Sequence, residues 1–98
     1  MILKGTNIED KFLAEWVKEK LLPRIAIDIR IHGSRVHGTP RADSDVDVFV
    51  IVKECNIPEE GTFENLEYEG LKIEMRVFDD DYVPSWIKWF PNLISIEN

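Results

Sequence analysis

The sequence predicts an α+β domain, a small mixed β-sheet packed with helices on one face. Three observations predict it. Apolar residues recur at helical spacing in one early segment. Two later segments alternate apolar and polar residues, and a run rich in Val and Ile lies between them. The chain has 98 residues, one domain's worth, so residues 1–98 are expected to share a single core.

Ile8 to Leu22 reads as a helix. Asn7 is placed to cap it, and Glu9 and Asp10 suit the positive end of its dipole. Ile8, Phe12, Leu13, Trp16, Val17 and Leu21 form the expected buried stripe, and Pro23 ends the helix. From Ile25 to Ile31 the isoleucines alternate with Ala26, Asp28 and Arg30, the pattern of a strand with one face in the core. Gly33-Ser34 closes it, and a helical turn and loop follow. Asp45 to Lys53 is a second strand. Phe63 to Tyr68 and Leu71 to Phe78 read as a hairpin around Glu69-Gly70, with Leu71, Ile73, Met75 and Val77 inward. Pro84 to Phe90 is a short helix bounded by Pro84 and Pro91. Residues from Asn92 onward form an edge strand or coil. The order is thus α-β-(short α)-β-β-β-α.

Composition narrows the function. Lys and Arg number 12 and Asp and Glu 19, a net charge of −7. Phosphate backbones are held mainly by Lys and Arg, so general nucleic-acid binding is disfavoured. A site for one nucleotide stays open, because a bound metal supplies positive charge. No apolar run is long enough to span a bilayer, and no signal peptide is visible. Cys55 is the one cysteine, which excludes an internal disulfide and assigns it no role. These features are those of a cytoplasmic protein. A domain this small has room for only part of a two-substrate site, so an acceptor is expected to arrive with a partner.

The chemistry concentrates in Gly33 to Asp47, GSRVHGTPRADSDVD. Asp45 and Asp47 lie two apart on a strand, so both carboxylates project from one face. Like charges that close need a cation between them, and a hard divalent ion such as Mg²⁺ or Mn²⁺ fits. The alternative is an edge strand kept soluble by charge. Gly33-Ser34 follows a strand and offers backbone N–H groups and a hydroxyl to phosphate oxygens, although a glycine-serine pair alone is an ordinary turn. Cradle and carboxylates together equip a site for metal-assisted phosphoryl or nucleotidyl transfer.

Gly33-Ser34, ten residues, then Asp45-Val46-Asp47 resembles the GS-x10-DxD signature of the nucleotidyltransferase superfamily related to DNA polymerase β. The fuller string GSRVHGTPRADSDVDVFV is similar to the minimal nucleotidyltransferases, small proteins often encoded beside a HEPN-domain partner as toxin–antitoxin pairs. The general pattern covers residues 8 to 78. The resemblance implies a polymerase β-like fold and transfer of a nucleoside monophosphate from a triphosphate to an acceptor hydroxyl. It implies two divalent ions, Mg²⁺ or Mn²⁺, on Asp45 and Asp47, with Gly33 and Ser34 on the β- and γ-phosphates. It also implies a third, metal-site carboxylate on a later strand that assists the acceptor hydroxyl. Glu74, inside LKIEMRVF, is assigned that position, against Glu67, Asp79, Asp80 and Asp81. The commoner residue there is Asp.

Arg35 is expected among the nucleotide-binding residues, steering the triphosphate or leaving pyrophosphate, and a solvated or salt-bridged arginine is its alternative. Arg41 is expected to be solvated or salt-bridged, with the same phosphate role as its alternative. His32 lies either near the base or ribose or serves as a structural histidine, and His37 is expected at the surface. Trp86, Trp89 and Phe90 are expected to pack rather than stack on a base, with a partner-covered patch as the second reading.

Three functions remain. The first is a protein adenylyltransferase that moves AMP from ATP to its HEPN-type toxin partner, acting as the antitoxin. The second is transfer to RNA or a small molecule. The third is a catalytically silent interaction module. Self-association is left open by the sequence.

Overall fold

The computed structural model describes residues 2–53, 56–90 and 92–95, the side chains of His37 and of 92–95 excepted. The readings of Cys55, of the His37 side chain and of the tail beyond Ser95 lie outside the described residues. Helix α1 spans Asp10–Leu21. It begins later than its sequence suggests, because residues 2–9 fold back on themselves. Ile2 bridges Glu9, the Leu3 N–H donates to the Ile8 carbonyl at 2.9 Å, and the Thr6 hydroxyl accepts from the Ile8 N–H at 3.0 Å. Glu9, not Asn7, is therefore the N-cap residue, and its side chain makes no cap bond. Leu13, Ala14, Val17 and Leu21 are buried. Phe12 is 57% exposed, because it falls on the flank of this stripe instead of within it.

Strand β1 runs over Ala26–His32, helix α2 over Ser34–His37 and strand β2 over Val46–Val52. Strands β3 (Thr62–Tyr68) and β4 (Leu71–Asp79) form the expected hairpin. A 3-10 helix covers Ser85–Trp89, and strand β5 covers Asn92–Ser95. The strands make one mixed sheet in the order β3-β4-β2-β1-β5. β2 and β4 are parallel, and the other neighbours are antiparallel. No helix among the described residues is long and apolar enough to cross a membrane.

The alternation in β1 is broken. A register shift between Ala26 and Asp28 changes the parity of the strand. Ala26 enters the main core, Ile27 packs on the opposite face with Ile51 and Phe78, and Ile25 is 62% exposed. Beyond the shift, Ile29 and Ile31 point inward as expected.

Val46, Val48, Val50 and Val52 of β2 pack with Leu71, Ile73, Met75 and Val77 of β4 and with α1 in the main core. The other face of these strands carries Asp47, Phe49 and Ile51, and Glu74, Arg76 and Phe78. The 3-10 helix covers one end of this second face, placing Ile87 on Ile51 and Phe78. Phe90 stacks on Phe49 with centroids 5.1 Å apart, and Trp86 meets Phe49 and Phe78 edge-on. Trp86 and Phe90 thus pack as expected, whereas Trp89 is 78% exposed. The other end of the face, toward the start of β2, holds the polar groups.

Candidate active site

Strand register assembles the candidate site. In β2 and β4 the parallel pairing sets Asp47 beside Glu74. The antiparallel pairs add His32 on the far side of Asp47 and Asn65 on the far side of Glu74. His32, Asp47, Glu74 and Asn65 therefore form one row across four strands. Asp45 lies two residues before Asp47, just ahead of β2.

The carboxylates feel one another. Glu74 is held above its ordinary value of 4.5 by a side-chain hydrogen bond with Asp47, then by burial, then by the charges of Asp47 and Asp45. A proton between Glu74 and Asp47 relieves the repulsion, and so would a cation. The donor set is all oxygen, hard and anionic, which fits Mg²⁺ or Mn²⁺.

The rivals for the third position stand at other places on the sheet, Glu67 lining the same cavity as Asp45 and Glu74. Glu67, on β3 and so one strand further from Asp47, pairs with Lys72 of β4. Asp79 pairs with Val52 at the opposite end of β2, ~16 Å along the strand from Glu74. Asp79, Asp80 and Asp81 gather their oxygens within 4.8 Å of one another, a second set that could hold a cation away from the row.

Gly33 separates β1 from α2 and has φ 131°, a conformation open to glycine. A Cβ there would meet the Asp45 carbonyl oxygen at 3.2 Å and the Asp47 nitrogen at 3.9 Å. The missing side chain thus lets the start of α2 sit against the backbone that carries both aspartates. Ser34 opens α2, and its carbonyl accepts from the Gly38 N–H at 2.9 Å.

Arg35 is turned away from this group. It is 6% exposed, and its guanidinium donates to the carbonyls of Ser44 (3.0 Å), Lys4 (2.9 Å), Arg41 (3.1 Å) and Ala42 (3.3 Å). The expected phosphate ligand is instead a clamp that joins the N-terminal segment to the loop before Asp45. Its buried planar fork finds its partners in the carbonyls of a largely exposed loop. Gly5, at φ 77°, makes room, since a Cβ would meet the Arg35 Nη1 at 2.8 Å. Arg41 is exposed, and its N–H donates to the Ser44 hydroxyl at 2.8 Å.

His32 Nδ1 lies 3.8 Å from Asp47 Oδ2, and its ring rests 4.5 Å from that of Phe90. Sequence reasoning missed Asn65. Counting outward from the Glu69-Gly70 turn pairs Asn65 with Glu74, so hairpin symmetry holds that signal. The clamp on Lys4 has no such signal, because it joins residues 31 apart.

The sequence model of a family described as nucleotidyltransferase domain matches residues 11–97. No curated protein and no solved structure matches the chain.

Proposed function

The chain belongs to the nucleotidyltransferase domain family, and from that premise we propose that it transfers AMP from ATP to a hydroxyl on a partner protein. The observation that supports this most is the convergence of Asp45, Asp47 and Glu74 beside Gly33-Ser34. Asp45, Asp47 and Glu74 would hold divalent ions, Mg²⁺ or Mn²⁺, which when bound supply charge stabilisation at the attacking and leaving oxygens.

The chain's own groups would act as follows. Gly33 brings the start of α2 close to the aspartates, and the Ser34 hydroxyl and nearby N–H groups hold the β- and γ-phosphates. Glu74 accepts the proton of the acceptor hydroxyl as its oxygen bonds to the α-phosphorus. The bond to the bridging oxygen breaks and pyrophosphate departs. His32 orients Asp47 from the other side of the row. The small domain leaves the acceptor to a separate molecule, and a HEPN-type toxin is the partner we propose, with this chain as its antitoxin.

Label transfer tests the reading. The protein is mixed with a HEPN partner or host lysate, Mg²⁺ and each α-labelled nucleoside triphosphate in turn, with Asp47→Asn alongside. A labelled protein with ATP, lost in the variant, is expected. No label with any nucleotide, with partner binding confirmed, would overturn it and favour a silent interaction module.

A further inference from the structure

Asp47 has a neighbour on each side of the row, and the two differ in kind. Glu74 shares a side-chain hydrogen bond with it. His32, across the antiparallel pair, sets its Nδ1 3.8 Å from Asp47 Oδ2. That separation is too long for a hydrogen bond, whose N–H···O distance is about 2.7–3.2 Å. It matches two ligands of one ion, because atoms each about 2.1 Å from a metal stand roughly 3 to 4 Å apart. Both side chains are partly open to solvent, so an ion can reach the gap and keep water on its remaining positions.

Packing holds the imidazole in this attitude. Its centroid rests 4.5 Å from that of Phe90, which in turn stacks on Phe49 at 5.1 Å. The Phe90 carbonyl accepts from Arg30 Nη1 at 3.0 Å, and Arg30 is itself paired with Asp28. A ligand oriented before the ion arrives loses less freedom on binding. His32 is also the last residue of β1, directly before Gly33-Ser34. An ion between His32 and Asp47 therefore lies on the side of the row where the phosphate cradle begins.

We propose that His32 is a metal ligand: its Nδ1 and Asp47 Oδ2 share one divalent ion, and the nitrogen biases that position toward first-row transition ions over Mg²⁺. This rests on the metal-assisted reading above and names a ligand and an ion preference for the same site. Imidazole is a softer donor than carboxylate, and Mg²⁺ is suited to oxygen ligands. The gap between Asp47 and Glu74 keeps an all-oxygen donor set. His32 then fixes Asp47 through the ion they share.

The test uses the whole chain without nucleotide, so that no base nitrogen is present. Mn²⁺ bound to it is read by electron spin echo envelope modulation, which detects nitrogen coordinated to the ion. Modulation from ¹⁴N is expected in the native chain, replaced by the ¹⁵N pattern when histidine is ¹⁵N-labelled, and lost in His32→Gln. His37→Gln is expected to keep it. In titration calorimetry His32→Gln is expected to weaken Co²⁺ binding by about tenfold or more, the scale of disturbing even a ligand's outer partner, and Mg²⁺ binding by less than about twofold. Mn²⁺ that binds the native chain and not Asp47→Asn, yet shows no nitrogen modulation, would overturn the proposal and leave His32 to position Asp47 directly. Modulation that survives in His32→Gln, or equal losses of Co²⁺ and Mg²⁺ affinity, would also overturn it. A nitrogen-coordinated ion in a chain that transfers no label would support the ligand and count against the transferase reading alone. Ion binding that ignores Asp47→Asn would remove the metal site, and the proposal with it.

Discussion

Glu74 meets Asp47 in register, so two carboxylates share one row of the sheet with Asp45 just beyond. Glu74 holds its proton more tightly folded than unfolded, where its value is the ordinary 4.5. For an acid raised on folding, the charged form opposes the fold. The contribution of Glu74 to metal-free stability, read as the difference between the native chain and Glu74→Gln, should therefore rise as pH falls from neutrality through the raised value toward 4.5, and level off below it. Thermal melts in chelator across that range check the sign, and a contribution in the opposite direction would contradict the geometry. Glu74→Gln should melt no lower than the native chain without metal, yet lose label transfer by about a hundredfold or more, the scale of a general base. Arg35 predicts the reverse pattern. Arg35→Ala leaves carbonyls of Lys4, Arg41, Ala42 and Ser44 without their donor. A loss of about 3 kcal/mol in denaturant unfolding is expected, with Arg35→Lys recovering part of it.

At the scale of elements, two junctions decide where the site residues stand. Gly33 joins β1 to α2 at a positive φ and 3.2 Å from the Asp45 carbonyl oxygen, measured to its would-be Cβ. Gly33→Ala should cost about 1–3 kcal/mol from backbone strain, read in the same unfolding experiment. It should also weaken Mn²⁺ binding by isothermal titration, because the Asp45 carbonyl, 3.2 Å from the added Cβ, must give way. Gly70→Ala is the control for positive φ alone, since nothing lies within 4 Å of its Cβ position. The second junction is the irregularity at the start of β1. It sends Ala26 and Ile27 to opposite faces from those their spacing suggests, and Ile27 then completes the apolar end under the 3-10 helix. That end is closed by packing, which leaves the polar end of the same face to the carboxylates.

For the molecule as a whole, a net charge of −7 and a row of carboxylates oppose compaction, and a divalent ion that binds the folded state alone opposes unfolding. Mg²⁺ at ten times its dissociation constant should add about 1.4 kcal/mol and raise the melting temperature by about 5–10 °C. Asp47→Asn should lose most of that rise, whereas an equal rise in the variant would place the ion elsewhere, with Asp79–Asp81 the alternative set. The mixed sheet, the hairpin, the inward faces of β2 and β4 and the pairing of a GS turn with DxD were legible in the sequence. They rest on periodicity and short-range spacing, which each segment carries by itself. The choice of Glu74 was made from the sequence, whereas its place directly beside Asp47 needed the parallel register of β2 on β4, and the place of Asn65 needed β3 at the edge. The start of α1, the break in β1 and the burial of Arg35 were likewise tertiary decisions. Each depends on which distant backbone carbonyl or side chain fills a given space, and no local pattern encodes a partner tens of residues away.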